Sequence, residues 1–177
     1  MTHTLAPTTP EHGPSILQPP FHYHIYQTEH FHVVSGSGKF WRGIGTEPFA
    51  ILSSAPGAQA TASIEAGRYH RFENASTTEP LIVEVQLDPE DYASEQRFFR
   101  NFFGYLDDCT RHKVAPSLFQ LMVFLHAADT PLALPVPNER LGVWVSRVFL
   151  VTVAFVGKWV LGYKSNYSEY FEEKKSL

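Results

Sequence analysis

Cysteine is almost absent from this chain of 177 residues, and the single Cys109 excludes an internal disulfide and a cysteine-rich zinc site. Charge is also scarce: 18% of residues are Asp, Glu, Lys or Arg, against about a quarter in an average soluble domain. With 14 Lys+Arg set against 18 Asp+Glu, the formal charge of -4 leaves no basic footprint for nucleic acid. The first nineteen residues lack both a basic start and an apolar run, so they do not read as a secretion signal. One cysteine and no signal point to a reducing, cytoplasmic compartment. The N-x-S sequons at Asn74 and Asn166 are then expected to be chance matches. What the chain has instead is 44% hydrophobic residues, 14 Phe and 9 His. High apolar content at low net charge excludes disorder for most of it. The length suits one domain with an appended subdomain.

The period of the apolar pattern changes near Asp88-Pro89. Before it, short segments rich in β-formers are separated by Gly and Pro: His22–Gln27, His30–Val34, Lys39–Arg42, Phe49–Leu52, Ala60–Ile64, Tyr69–Glu73 and Leu81–Leu87. Such short, evenly spaced strands predict an antiparallel sandwich or barrel. After it the period is helical. One helix is expected from Ser94 as N-cap to about Asp108, a second from about Pro116 to Ala127, and a third from about Asn138 to Leu161. The expected organisation is a flexible, proline-rich leader over residues 1–19, a β core over 20–88 and a helical extension over 89–177 packed on that core.

The third helix invites a membrane reading. Arg147 and Lys158 interrupt its apolar run and leave ten uncharged residues between them, where about 20 are needed to span a bilayer. No transmembrane span is expected. The helix reads as a packed or oligomer-interface element, with a homodimer as the natural partner and peripheral membrane contact as the second reading.

The histidines are clustered. His22-Tyr23-His24 falls in a predicted strand, where residues i and i+2 share a face. Glu29 opens the next strand, and Gly67-Arg68-Tyr69-His70 places another histidine after a tight turn. A barrel can bring His22, His24, Glu29 and His70 together. Three imidazoles and a carboxylate suit Fe(II), Mn(II), Ni(II), Co(II), Cu(II) or Zn(II), and four protein donors on an octahedral ion leave two positions for other ligands.

His22-x-His24-x4-Glu29-x6-Gly36 and Gly67-x2-His70-x3-Asn74 resemble the two motifs of the cupin superfamily, which carry two His and one Glu ligand, then a last His. The glycine that usually opens the first motif is missing. Glu65 stands where the second motif usually has proline, a turn residue that binds no metal. The resemblance covers about Phe21 to Leu87. It implies a mainly β fold, a cupin-type jelly-roll β-barrel with an appended C-terminal helical region, holding one divalent transition metal on His22, His24, Glu29 and His70. Strand parity within that fold places Tyr26 with His22 and His24, Phe31 and Val33 with Glu29, and Phe72 and Asn74 with His70. These five form the candidate substrate pocket, although they fill a barrel interior equally well. His30 and His32 have the opposite parity and fall outside the metal shell.

The stretch Leu161–Tyr167 also resembles the helical tails of small single-domain cupins, some of them associated with fungal secondary-metabolite pathways. The implied function is a metal-dependent enzyme acting on an apolar or aromatic small molecule, with Fe(II) favoured and oxygen-dependent oxidation, as by a dioxygenase, placed first. The low charge agrees, since no Arg/Lys cluster faces the site. A Lewis-acid isomerase, cyclase or decarboxylase using the same metal is the alternative. A non-catalytic ligand-binding module is the third reading.

Overall fold

Alternation of apolar and polar residues decides the strands. In Leu81-Ile82-Val83-Glu84-Val85-Gln86-Leu87-Asp88 every second side chain is buried, as a sheet with one covered face requires. The computed structural model describes residues 1–9, 13, 15 and 17–172. Its strands are β1 (Thr2–Leu5), β2 (Thr28–Ser35), β3 (Ser37–Arg42), β4 (Ala50–Ser53), β5 (Thr61–Ile64), β6 (His70–Asn74) and β7 (Leu81–Asp88). Three helices follow: α1 (Tyr92–Arg111), α2 (Leu118–Ala127) and α3 (Glu139–Phe155), the last continuing into a π-helical turn, Val156–Val160.

The strands form two antiparallel sheets, ordered β1-β7-β2-β5 and β4-β3-β6. Among the described residues no ladder closes them into one barrel, so the architecture is mainly antiparallel β with helices. Register aligns the inward side chains: Phe31 lies opposite Val85 and Val33 opposite Val83, while Phe40 lies opposite Phe72. Phe31 and Phe40 meet edge to face at 5.1 Å, and Phe72 stacks on Phe40 at 5.6 Å. These offset geometries suit the ring quadrupole and add to the burial of large apolar area. At the β2–β3 turn Gly36 has φ 82°, and a Cβ there would collide with the carbonyl oxygen of Pro80.

The chain divides into two compact units, Met1–Glu90 with Leu132–Trp144, and Asp91–Pro131 with Val145–Leu177. The division is therefore not the simple one expected at Asp88, because Leu132–Trp144 belongs with the strands. The leader also needs correction. Thr2–Leu5 is a strand on β7, with Leu5 fully buried. Its alternation precedes Pro7, the first of the prolines that make the following stretch look extended. The part of the leader at residues 10–12, 14 and 16 lies outside the described residues.

In the helical unit, Asp91 rather than Ser94 caps α1, its carboxylate accepting the Ser94 N–H at 3.1 Å. Phe102 and Tyr105 of α1 meet Phe124 of α2 at 6.5 and 5.9 Å. Asn101 is fully buried and satisfied: its amide donates to Arg97 O and Asn166 Oδ1, both at 2.7 Å, and its oxygen accepts the Tyr167 N–H at 2.8 Å. Glu139–Val160 is the one helix among the described residues long and apolar enough to cross a membrane by length and composition. Its Ser146, Leu150 and Ala154 are buried, while Val148, Val151, Phe155 and Trp159 are exposed.

Asn74 anchors the leader strand. Its Nδ2 faces the carbonyl oxygens of Leu5 (3.2 Å), Ala6 (3.3 Å) and Glu79 (2.8 Å), and its Oδ1 accepts the Ser76 N–H at 2.9 Å. Asn74→Ala leaves these buried groups unpaired, with an expected cost of about 1–3 kcal/mol. Thermal denaturation of the variant beside wild type should show a fall of several degrees, and an unchanged midpoint would refute this role.

Candidate metal centre

Each donor is held by its own piece of backbone. Glu29 is the second residue of β2, flanked in register by Leu87 of β7 and Ile64 of β5. His70 opens β6 in the other sheet. The pattern around His22 and His24 predicts a strand through Gln27, but that segment is irregular apart from bridges at His22. Backbone hydrogen bonds do the strand's work. His22 and His70 exchange N–H···O bonds of 3.0 and 2.9 Å, and the His24 carbonyl accepts the Gly67 N–H at 2.8 Å. On its other edge His22 bridges Leu132, while Ala133 N–H donates to Phe21 O at 2.8 Å.

The four side chains converge. His22, His24, Glu29 and His70 each offer one donor atom, and these atoms all lie within 4.8 Å of one another. All four residues are buried, with exposures of 8, 8, 5 and 1%. Ring centroids of His22 and His70 are 4.3 Å apart, and those of His22 and His24 5.3 Å. Glu29 Oε2 approaches His70 Nε2 at 2.6 Å and His24 Nε2 at 3.5 Å.

Tautomers follow from the second ring nitrogens. His22 Nδ1 sits 2.9 Å from Pro20 O, and His70 Nδ1 sits 2.8 Å from Arg68 O. A carbonyl oxygen can only accept, so Nδ1 carries the proton in both rings and Nε2 is turned inward. Burial, followed by the neighbouring His70 and His24, lowers the His22 pKa to about 3, so the ring is neutral near pH 7. Burial alone would raise Glu29, but His70 and His24 outweigh it and hold the carboxyl well below its ordinary value. Burial would likewise lower His70, and the Glu29 carboxylate reverses this to raise it.

The set fits a divalent cation. Glu29 Oε2 and His70 Nε2 are buried without a hydrogen-bond partner of acceptable geometry, although only 2.6 Å separates them. Two buried polar atoms left so are costly in an apolar interior, and a cation at their meeting point supplies the missing partner. A carboxylate oxygen with imidazole nitrogens is a donor set for first-row transition metals.

The neighbours separate more sharply than parity predicts. Phe31 and Phe72 lie in the buried aromatic cluster, and the Phe31 ring stands 6.4 Å from that of His70. Val33 is core as well. Asn74 is committed to backbone groups, and Tyr26, with no strand to orient it, is 62% exposed. His30 pairs with Ser63 Oγ at 2.7 Å and His32 with Glu84 Oε2 at 3.0 Å, both away from the cluster. Three residues around the donors are not singled out by sequence pattern: Tyr23, Tyr69 and Glu139. Only the position of the tyrosines beside the histidines marks them, and nothing local marks Glu139.

No family model matches the chain. Among curated proteins it is 31% identical over 159 residues to "Probable oxidoreductase virH" of Hypocrea virens, covering 88% of this chain and 68% of that protein. It is 36% identical over 125 residues to "Oxidoreductase iacF" of Pestalotiopsis fici, covering 68% and 58%. It is 30% identical over 161 residues to "Probable oxidoreductase patJ" of Aspergillus clavatus, covering 86% and 46%. The chain thus spans about half to two thirds of the length of these relatives.

The converging donors predict that His22→Ala, His24→Ala and His70→Ala each lose bound metal in elemental analysis of protein purified without chelator. Full metal loading in all three would sink the assignment. His30→Ala and His32→Ala should keep the wild-type metal content, since both side chains have other partners.

Proposed function

The chain belongs to the family of "Probable oxidoreductase virH", and on that premise we propose that it is a metal-dependent oxidoreductase of the cupin type. In this reading the strands form a jelly-roll, the metal is Fe(II), and the substrate is an apolar or aromatic small molecule of the secondary-metabolite kind oxidised at the expense of O2. The observation that carries the reading is the buried, converging set of three imidazoles and one carboxylate, in which burial keeps His22 neutral and the surrounding imidazoles keep Glu29 ionised. Bound there, Fe(II) would supply electrons to O2 and a Lewis-acidic position for a substrate oxygen.

The protein's own residues have three tasks. The backbone pairing of His22 with His70 holds two donors side by side before any metal arrives, which lowers the reorganisation needed on binding. The Pro20 and Arg68 carbonyls fix both ring tautomers and make the imidazoles better donors. The buried Phe31, Phe40 and Phe72 rings lie beside the donors, with Phe31 6.4 Å from the His70 ring, and keep that side of the site apolar. Low dielectric there strengthens every charge interaction around the carboxylate.

Oxygen electrode measurements on Fe(II)-loaded protein with a panel of phenols and hydroquinones test this. Consumption of O2 that depends on both iron and substrate, and that His24→Ala abolishes, is the expected result. Turnover of the substrate at an undiminished rate under argon, or equally well with Zn(II), would replace oxidation by Lewis-acid chemistry.

A further inference from the structure

The segment Leu132–Trp144 follows two helices in the chain and yet belongs to the strand unit. It touches both histidine-bearing stretches. At one end Leu132 bridges His22. At the other, the first turn of α3 meets the residues placed between or before the donors. Tyr23 donates through its hydroxyl to Val143 O at 2.8 Å, and its ring stacks on that of Tyr69 at 5.6 Å. Tyr69 packs so closely that a Cβ on Gly142 would come within 2.6 Å of its hydroxyl oxygen.

Glu139 makes the most consequential of these contacts. Its Oε1 accepts the Tyr69 N–H at 3.3 Å and lies 3.5 Å from Arg68 Nε. The Tyr69 N–H and the Arg68 C=O are two ends of one peptide group. The Arg68 carbonyl is the acceptor for His70 Nδ1 at 2.8 Å. A carboxylate, a peptide plane and an imidazole therefore stand in line. Peptide groups are rigid, so turning this plane at its N–H end moves the acceptor at its C=O end. The next carbonyl, Tyr69 O, accepts the Gly43 N–H at 2.6 Å, so both backbone hydrogen-bonding groups of Tyr69 are held.

We propose that Glu139 is a positioning residue for His70, acting through the Arg68–Tyr69 peptide group to fix the tautomer and aim of the imidazole. Metal-ligating histidines commonly give their second nitrogen to a carboxylate or a carbonyl. Here both are used in series, and each hydrogen bond polarises the next. The carboxylate also sits in the first turn of α3, where a negative charge is favoured by the helix dipole. What the device does to metal affinity rests on the metal-site reading above; what it does to the ring does not.

The test compares wild type, Glu139→Ala and Glu139→Gln as full-length chains, each stripped of metal and then titrated with Co(II) alone. Glutamine keeps an oxygen acceptor for the Tyr69 N–H, and alanine does not. Glu139→Ala is expected to weaken Co(II) binding by about 10–100-fold, and Glu139→Gln by no more than about threefold, within the range for lost outer-shell partners. The metal-free proteins, labelled with 15N-histidine, supply a second readout. Ring nitrogen shifts of His70 should move in Glu139→Ala and return in Glu139→Gln, while those of the exposed His32 stay fixed in both. Unmoved His70 shifts in a folded Glu139→Ala protein would overturn the proposal, as would a glutamine variant no better than alanine. If wild type takes up no Co(II), the metal-site reading fails, and the His70 ring shifts alone decide for or against Glu139.

Discussion

The contact on which the structure turns is the approach of the Glu29 carboxylate to the His70 imidazole at 2.6 Å, deep in the interior. A carboxylate buried alone would cost several kcal/mol or would take up a proton. Here it stays ionised because imidazoles surround it, and two of them, His22 and His70, are held by backbone carbonyls. Glu29 comes from the four-stranded sheet and His70 from the three-stranded one, so this pair also ties the two sheets together. The apolar cluster of Phe31, Phe40 and Phe72 lies beside it and keeps water from dissipating the charge.

That arrangement asks more of the backbone than of the side chains. Four donors within 4.8 Å of one another can be built only if the chains that carry them are brought close and kept from drifting. Three devices do this: reciprocal hydrogen bonds between His22 and His70, capture of the His24 carbonyl by Gly67, and the ladder that sets Glu29 beside Leu87. The returning segment Leu132–Trp144 adds a fourth, from residues far away in the chain. The chain is similar to curated oxidoreductases, and it carries a buried His/Glu cluster that could hold a metal ion.

Much of this is readable before any fold is known. Alternation locates β2 to β7 to within a residue or two, and helical periodicity locates three helices. The four residues whose side chains converge are named by spacing and motif, because the residue types that can bind metals are few. Other features elude local pattern for physical reasons. Prolines downstream of Leu5 hide the short strand β1, whose pairing with β7 depends on a partner some eighty residues away. Ser94 looks like the cap of α1, but the Asp91 carboxylate takes that place. Parity assigns Tyr26 and Asn74 to the pocket from the strands expected to carry them. The strand under Tyr26 does not exist, and the Asn74 amide is consumed by the leader and the loop after β6.

By itself the amino-acid sequence determined the chemistry available: scarce charge, one thiol, and three imidazoles and a carboxylate at spacings that let short strands present them together. These are local properties, written in residue type and period. Only the tertiary structure decided which atoms face one another. Whether Glu29 remains a carboxylate, which nitrogen of His70 is free, and that Glu139 reaches the peptide before His70 all depend on burial and on contacts between residues distant in the chain. Periodicity carries no information about such contacts, because their geometry exists only once the sheets have packed and the chain has returned at Leu132.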